Sequence, residues 1–189
     1  MHKMDEKAVA IRRLVYLSLM VALQILLTRL LVIDMGAYRI SFGSVATILA
    51  GLWLGPVAGG VCGLTADVLG CFLKGFAVNP LITLAAIMWG VIPALLCSKA
   101  WRRAKTKAAK TGWLCGSIAI TAVVSSLLLT TAGLVLFLGY HLYAILPGRI
   151  VQTAIMTPCY CVVTCLIYFS PVTAVISGTF PVTGSVPSR

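Results

Sequence analysis

Long apolar runs separated by short polar turns make up most of the chain, and a membrane-crossing α-helix needs roughly 20 such residues. The first run occupies residues 8–33, with Arg12 and Arg13 near its start and Gln24 and Arg29 within it. A polar turn with Asp34, Gly36, Tyr38 and Arg39 follows, then a short run over 45–54 that the Gly55-Pro56 breaker ends. In the third run, 57–73, the small residues Gly59, Gly63, Ala66 and Gly70 predict close backbone approach by another helix. A turn over 74–80 leads to the fourth run, 81–97, which Gly90 and Pro93 are expected to bend. Beyond a polar segment at 98–111, the fifth run covers 114–138, a short aromatic-containing loop is expected over 139–149, and the sixth run covers 150–169 around Pro158. From Ser170 the composition turns to Ser, Thr, Pro and Gly, and a mobile tail is expected. The pattern predicts an all-α membrane protein: a single domain of six transmembrane helices over 1–170 and a cytoplasmic tail over 171–189.

Composition agrees with a lipid environment. Of the 189 residues 60% are hydrophobic and 10% charged, and the mean hydropathy is +1.05, whereas a soluble domain carries about 25% charge. The net charge of +11 raises nucleic acid as a partner, but the positions of the basic residues argue for membrane topology instead. Lys3, Lys7, Arg12 and Arg13 precede or open the first run. Lys99, Arg102, Arg103, Lys105, Lys107 and Lys110 fill the 98–111 loop without one acidic residue, and Arg189 ends the chain. The remaining basic residues, Arg29, Arg39, Lys74 and Arg149, fall at the three connections on the other side. Both termini are therefore expected in the cytoplasm. The first run is too long for a signal peptide's apolar core and is expected to remain as a helix.

Candidate chemistry lies on the outer side. Ionisable groups at membrane depth are costly unless they face protein or water. Arg29 can snorkel to the headgroups or face the bundle, while Asp67, among glycines, needs a donor or cation, which one of the outer basic residues could supply. Four outer cations against Asp34 and Asp67 leave about two positive charges unmatched, which a dianion would balance. Arginine forks suit carboxylates, and Lys74 would act as a point charge. The rings of Tyr38, Phe42, Phe72, Phe76, Trp89, Tyr140 and Tyr143 suit both an interfacial belt and stacking on a ligand. The seven cysteines lack CxxC spacing and accompanying His ligands, so they read as packing residues and no metal site is expected. HExxH, GxSxG and GxxxxGK[ST] patterns are absent from the sequence. An enzyme reading therefore fares worse, with His2 and His141 also far apart in sequence and expected on opposite membrane faces, and any uphill transport must draw energy from another subunit or an ion gradient.

Several stretches, in order, resemble the substrate-binding S components of energy-coupling factor (ECF) vitamin transporters, and within them the folate-binding members. These are Thr28-Arg29-Leu30, Arg39-Ile40-Ser41-Phe42-Gly43, Ala50-Gly51 with Gly55-Pro56, Gly59-Gly60, Ala66-Asp67 with Gly70, and Pro147-Gly148-Arg149. The resemblance implies a six-helix bundle that encloses one vitamin at its outer end. It also implies a transmembrane partner subunit and two ATPase subunits that hydrolyse ATP, with no cofactor on this chain. Small residues at AxxxA-like spacing on the first helix dock the partner in that family. Ser18 and Ala22 occupy this spacing here, where ordinary internal packing is the alternative. The sequence departs from the folate-type pattern in reading Asn79-Pro80-Leu81-Ile82-Thr83 where a Pro-Gly-Phe-Thr-like stretch is usual.

A folate suits the outer inventory in physical terms. Its pterin can stack on aromatic rings and hydrogen-bond Asn79 or Asp67, and its glutamate carboxylates need Arg29, Arg39 or Arg149, whereas the cation thiamine suits a basic pocket poorly. The expected function is a substrate-binding subunit of an ATP-driven importer in a prokaryotic cell membrane, itself not an enzyme. The ligand site is drawn from Arg29, Asp34, Tyr38, Arg39, Phe42, Asp67, Phe72, Lys74, Asn79, Trp89, Tyr143 and Arg149. The alternatives are an S component for another small vitamin or precursor, a stand-alone carrier, and a membrane-embedded enzyme.

Overall fold

In the computed structural model, which describes residues 6–29, 33–35, 38–101 and 106–177, the apolar runs become helices. By length and composition, five are apolar enough to cross a bilayer. They are α1 (Glu6–Arg29), α3 (Pro56–Lys74), α4 (Pro80–Ala100), a continuous helix over Lys107–Leu138, and α7 (Leu142–Tyr168). The Lys107–Leu138 helix has three parts: α5 (Lys107–Thr121), a π-helical segment (Ala122–Thr130) and α6 (Thr131–Leu138). The short run forms α2 (Gly43–Leu54). At a rise of 1.5 Å per residue it covers about 18 Å, less than the hydrocarbon thickness of about 30 Å.

Four boundaries differ from the hydropathy reading, and one is the loop expected over 98–111, where α4 runs on to Ala100 and α5 already begins at Lys107. The first run stops being helical at Arg29, and its last apolar residue, Ile33, opens a hairpin of β1 (Ile33–Met35) and β2 (Tyr38–Ile40). The strands are antiparallel, with Ile33 opposite Ile40, Asp34 opposite Arg39 and Met35 opposite Tyr38. The apolar, charged, apolar alternation of each strand, with two residues between them, is the period-two signal that a span-length search overlooks. The loop expected over 139–149 is much shorter, because Gly139 ends α6 in the left-handed region and α7 already begins at Leu142. Pro147 and Pro158 lie inside α7. A membrane helix tolerates such prolines where neighbouring groups take up the freed carbonyls. The segment from Ser170 begins with a helix, α8 (Pro171–Ser177), whose Ile176 is buried and whose Thr173 hydroxyl accepts from the Trp53 indole at 3.1 Å. Residues after 177 lie outside the described residues.

Packing centres on α2, in which every residue except Ser44 is buried. α1, α3, α4, α7 and α8 all contact it. Ile48, Leu52 and Trp53 of α2 join Trp89, Leu114, Ile118, Met156 and Tyr160 in the core. In contrast, α1 leaves Ile11, Leu14, Val15 and Leu19 exposed, so its apolar surface is directed to lipid or a partner rather than to the core.

Glycines let three helices meet backbone to backbone. A Cβ on Gly59 of α3 would lie 2.6 Å from the Gly51 Cα of α2 and 2.8 Å from the Gly90 carbonyl of α4. Likewise, a Cβ on Gly51 would strike the Gly90 carbonyl, and one on Gly63 would strike the backbone of Ala86. Small residues at this spacing produce such close crossings in membrane bundles. Gly43 plays the same part between α2 and α1, where a Cβ would strike the methyl group of Thr28.

Replacing Gly59 by Ala should therefore destabilise the protein by at least about 1–3 kcal/mol through overpacking. Gly116, which has open space where its Cβ would be, should tolerate Ala within about 0.5 kcal/mol. Thermal unfolding of both variants in detergent separates the two cases, and equal melting temperatures would contradict the crossing described here.

Candidate functional site

Polar side chains are concentrated in the half of the bundle that holds the end of α1, the end of α3 and the start of α4. Arg29, in the last turn of α1, reaches α3, where its Nη2 donates to the Asp67 carbonyl at 3.5 Å and to the Cys71 sulfur at 3.8 Å. Gly70 leaves the room for it, since a Cβ there would overlap the guanidinium. The Nε and Nη1 of Arg29 are enclosed and have no hydrogen-bond partner among the described residues. A cationic donor left in that state costs more than the roughly 1–3 kcal/mol of a neutral one, so the position favours an incoming anion. Arg29 and Asp67 form no ion pair. The Asp67 carboxylate instead accepts from the Thr83 hydroxyl of α4 at 2.8 Å.

Asn79 extends this polar chain to the next helix. Its Oδ1 caps α4 by accepting from the Leu81 amide at 3.1 Å, and its Nδ2 donates to the Gly133 carbonyl of α6 at 2.9 Å. The side chain is buried, and a Cβ on Gly133 would press on it at 3.3 Å. Asn79 thus ties the start of α4 to α6, a structural task that the X-Asn-Pro sequence suggests only as an N-cap followed by Pro at N1.

On the opposite wall, Arg149 is only 5% exposed. Its Nη2 donates to the Ser126 carbonyl at 2.8 Å and its Nη1 to Gln152 Oε1 at 3.3 Å. Ser126 belongs to the π-helical segment, where the Thr130 hydroxyl bonds the Ser125 carbonyl at 2.8 Å and the Thr131 hydroxyl bonds the Ser126 carbonyl at 3.3 Å. A π-turn loosens the regular carbonyl ladder and is frequent at functional sites. Here the Ser126 carbonyl serves a guanidinium from another helix.

Beside Arg149 lies a narrow cleft between α4, the π-helical segment and α7. It is lined by Trp89, Ala122, Ser126, Gln152, Thr153, Met156, Thr157 and Tyr160, and its cavity is about 10 Å3, roughly the size of a single water. Ligand pockets are typically some hundreds of Å3, so the helices or the outer connections must part for a vitamin-sized molecule to enter. Tyr160 closes one end, with its ring edge-on to Trp89 at 5.3 Å and to Phe42 at 6.4 Å.

The structure brings together only some of the residues expected from the sequence. Arg29 and Asp67 meet at one wall, while Trp89 lines the cleft, Arg149 bonds its lining residues Ser126 and Gln152, and Phe42 packs against Tyr160. Asp34, Tyr38 and Arg39 are on the hairpin, but their side chains lie outside the described residues. Lys74 and Phe72 point outward at the end of α3, Phe72 being 73% exposed, and Tyr143 is 90% exposed in the first turn of α7. Those two rings fit an interfacial belt better than ligand stacking. Gln152, Ser126 and Tyr160 were not anticipated. The signal that could have found them is the one-turn spacing of Arg149, Gln152, Met156 and Tyr160 along one face of a helix. Ser18 and Ala22 are both exposed on α1 and so do not pack internally. Among the described residues no cluster of His, Cys, Asp and Glu could hold a metal, and all seven cysteines are free.

Long apolar helices around a buried short one, with Arg29, Asp67 and Arg149 held by hydrogen bonds with other helices, define a multi-pass membrane protein. Residues 12–168 match the family "ECF transporter, substrate-specific component", and the chain belongs to that family. A relative from Clostridium novyi (strain NT), the folate transporter FolT, is 32% identical over 152 residues, which cover 79% of this chain and 84% of its own. Among solved structures, FolT bound with folic acid superposes with a TM-score of 0.69 at 23% identity, covering 83% of this chain and 93% of that one. The S component of a bacterial ECF transporter superposes at 0.63 with 19% identity, covering 87% and 97%. These two likenesses establish the shared fold.

Replacing Asn79 by Ala should cost about 1–3 kcal/mol of stability, because it removes a buried hydrogen bond and a helix cap together. Thermal unfolding of the purified variant measures this. A melting temperature equal to that of the unmodified protein would show that the α4–α6 tie carries no weight.

Proposed function

We propose that this chain is the folate-binding S component of an ATP-driven ECF importer in a prokaryotic cell membrane, taking up folate or a related pterin vitamin from outside. The observation that carries the reading is the 32% identity to the Clostridium novyi folate transporter over 84% of that protein's length. The guanidinium of Arg29 supports it, because its Nε and Nη1 are enclosed without partners among the described residues and suit a carboxylate, and Arg149, held by Ser126 and Gln152 beside the cleft, is a second candidate. Arg39, opposite Asp34 on the hairpin, is the third candidate for the glutamate end. Phe42 and Trp89 offer rings for the flat heterocycle, and Asp67 offers a carboxylate to its N–H groups.

In this reading both termini are cytoplasmic, and α2 with the hairpin before it makes the sixth crossing, α2 itself being too short. The six basic residues at 99–110 lie inside the cell. The power stroke belongs to a transmembrane partner subunit and two ATPase subunits. Ser18 and Ala22, on the exposed apolar face of α1, form the contact with that partner, since small residues permit close helix approach. The chain binds and carries the vitamin without a cofactor.

Purified protein should bind folic acid tightly, and Arg29→Met and Arg149→Met should each weaken binding by about 2–5 kcal/mol, as for a buried charge pair. Calorimetric titration measures the effect, and undiminished binding in both variants would remove these residues from the site. In liposomes, folic acid uptake should require co-reconstituted ATPase and transmembrane subunits. Uptake by this chain alone would contradict the assignment.

A further inference from the structure

Tyr160 occupies a junction that neither the sequence motifs nor the charge pattern singles out. Its ring lies between those of Trp89 on α4 and Phe42 at the entry to α2, edge-on to both. The same ring lines the cleft beside Gln152 and Met156. Beyond the ring, the hydroxyl donates to the carbonyl of Ser41 at 2.9 Å, across 119 residues of sequence. Ser41 directly follows β2 and precedes Phe42, whose carbonyl accepts from the Val45 amide at 3.0 Å in the first turn of α2. One side chain thus touches the cleft with its ring and holds the backbone between the hairpin and α2 with its oxygen.

The neighbourhood makes this contact consequential. α2 starts three residues after β2, so whatever fixes Ser41 and Phe42 also fixes the joint between the hairpin and the helix. Phe42 is 40% exposed and its N-cap position makes no side-chain capping bond. The Tyr160 hydroxyl bonds a carbonyl and so caps none of the free amides of the first turn, but it fixes the backbone immediately before α2. We propose that Tyr160 is a positioning residue of the binding site. Through the Ser41 carbonyl it holds Phe42 and the start of α2 against α7, so that this one wall stays ordered when the rest of the bundle parts to admit a ligand. This inference rests on the proposed folate reading, with Phe42 and Trp89 as the rings for the heterocycle. It predicts a role in ligand retention, because a pre-ordered wall slows escape more than it changes encounter.

The test is Tyr160→Phe, which removes one oxygen and keeps the ring. Two measurements on the full chain in detergent are compared with the unmodified protein. The first is hydrogen exchange of the amides of residues 42–45 without ligand. The second is folic acid association and dissociation, followed by stopped-flow tryptophan fluorescence. Exchange should quicken and dissociation should rise by about tenfold, the scale of one lost hydrogen bond, with association changed by less than about twofold. A purely structural role would lower the melting temperature and leave the off-rate alone. Unchanged amide exchange overturns the proposal, and quickened exchange with an unchanged off-rate overturns its link to the ligand. Failure of the unmodified protein to bind folic acid would instead overturn the folate reading. The ligand-free exchange comparison would still decide whether Tyr160 positions α2.

Discussion

The contact on which the rest of the bundle depends is the backbone crossing of α2, α3 and α4 at Gly51, Gly59 and Gly90. Within a bilayer, apolar side chains gain little by leaving lipid for protein, so helix association relies on close packing and on polar contacts. Three glycines bring three backbones to the distance where packing is densest. That crossing seats α2 in the middle of the bundle, enclosed by α1, α3, α4 and α7. With α2 fixed there, Gly43 meets Thr28 of α1, and the chain before it turns back toward α7.

The shortness of α2 leaves room in the bundle for polar side chains from its neighbours. A full-length central helix would fill the bundle from end to end with apolar side chains. An 18 Å helix leaves the outer part to the hairpin, to Arg29 and Asp67 on one wall, and to Arg149, Gln152 and the π-helical segment on the other. Polar groups in such a position must satisfy one another or await a ligand. Asn79 and Thr83 are satisfied by neighbouring helices, whereas Arg29 keeps two enclosed donors without partners among the described residues. Stability and readiness to bind thus occupy adjacent layers, a glycine-packed inner one and a polar outer one.

The inner end is closed in a different manner. Trp53 finds its hydrogen-bond acceptor in Thr173 of α8, and Trp101 packs against Tyr168 at 4.9 Å while its indole donates to the Lys110 carbonyl at 3.1 Å. Tryptophan at this level places an apolar ring in the core and a donor at its edge. The short α8 packs against α2 and gives the Trp53 indole its acceptor.

Hydropathy and small-residue spacing determined the membrane setting, the apolar runs that became five long helices and a short one, and the close-packing face of α3, because the cost of placing charge in hydrocarbon is large and local in sequence. Individual residues carried some of the site too: Arg29 and Asp67 stand out by the same cost, and Arg149 follows a recognisable Pro-Gly pair. Tertiary structure decided what those residues touch. The partnering of Asp67 with Thr83 rather than Arg29, the engagement of Asn79 with Gly133, and the placement of Gln152 and Tyr160 in the cleft all depend on contacts between distant segments. Three-residue strands and a helix running through Pro147 are equally invisible to a search for spans, since pairing and neighbouring helices, not local composition, satisfy their backbones.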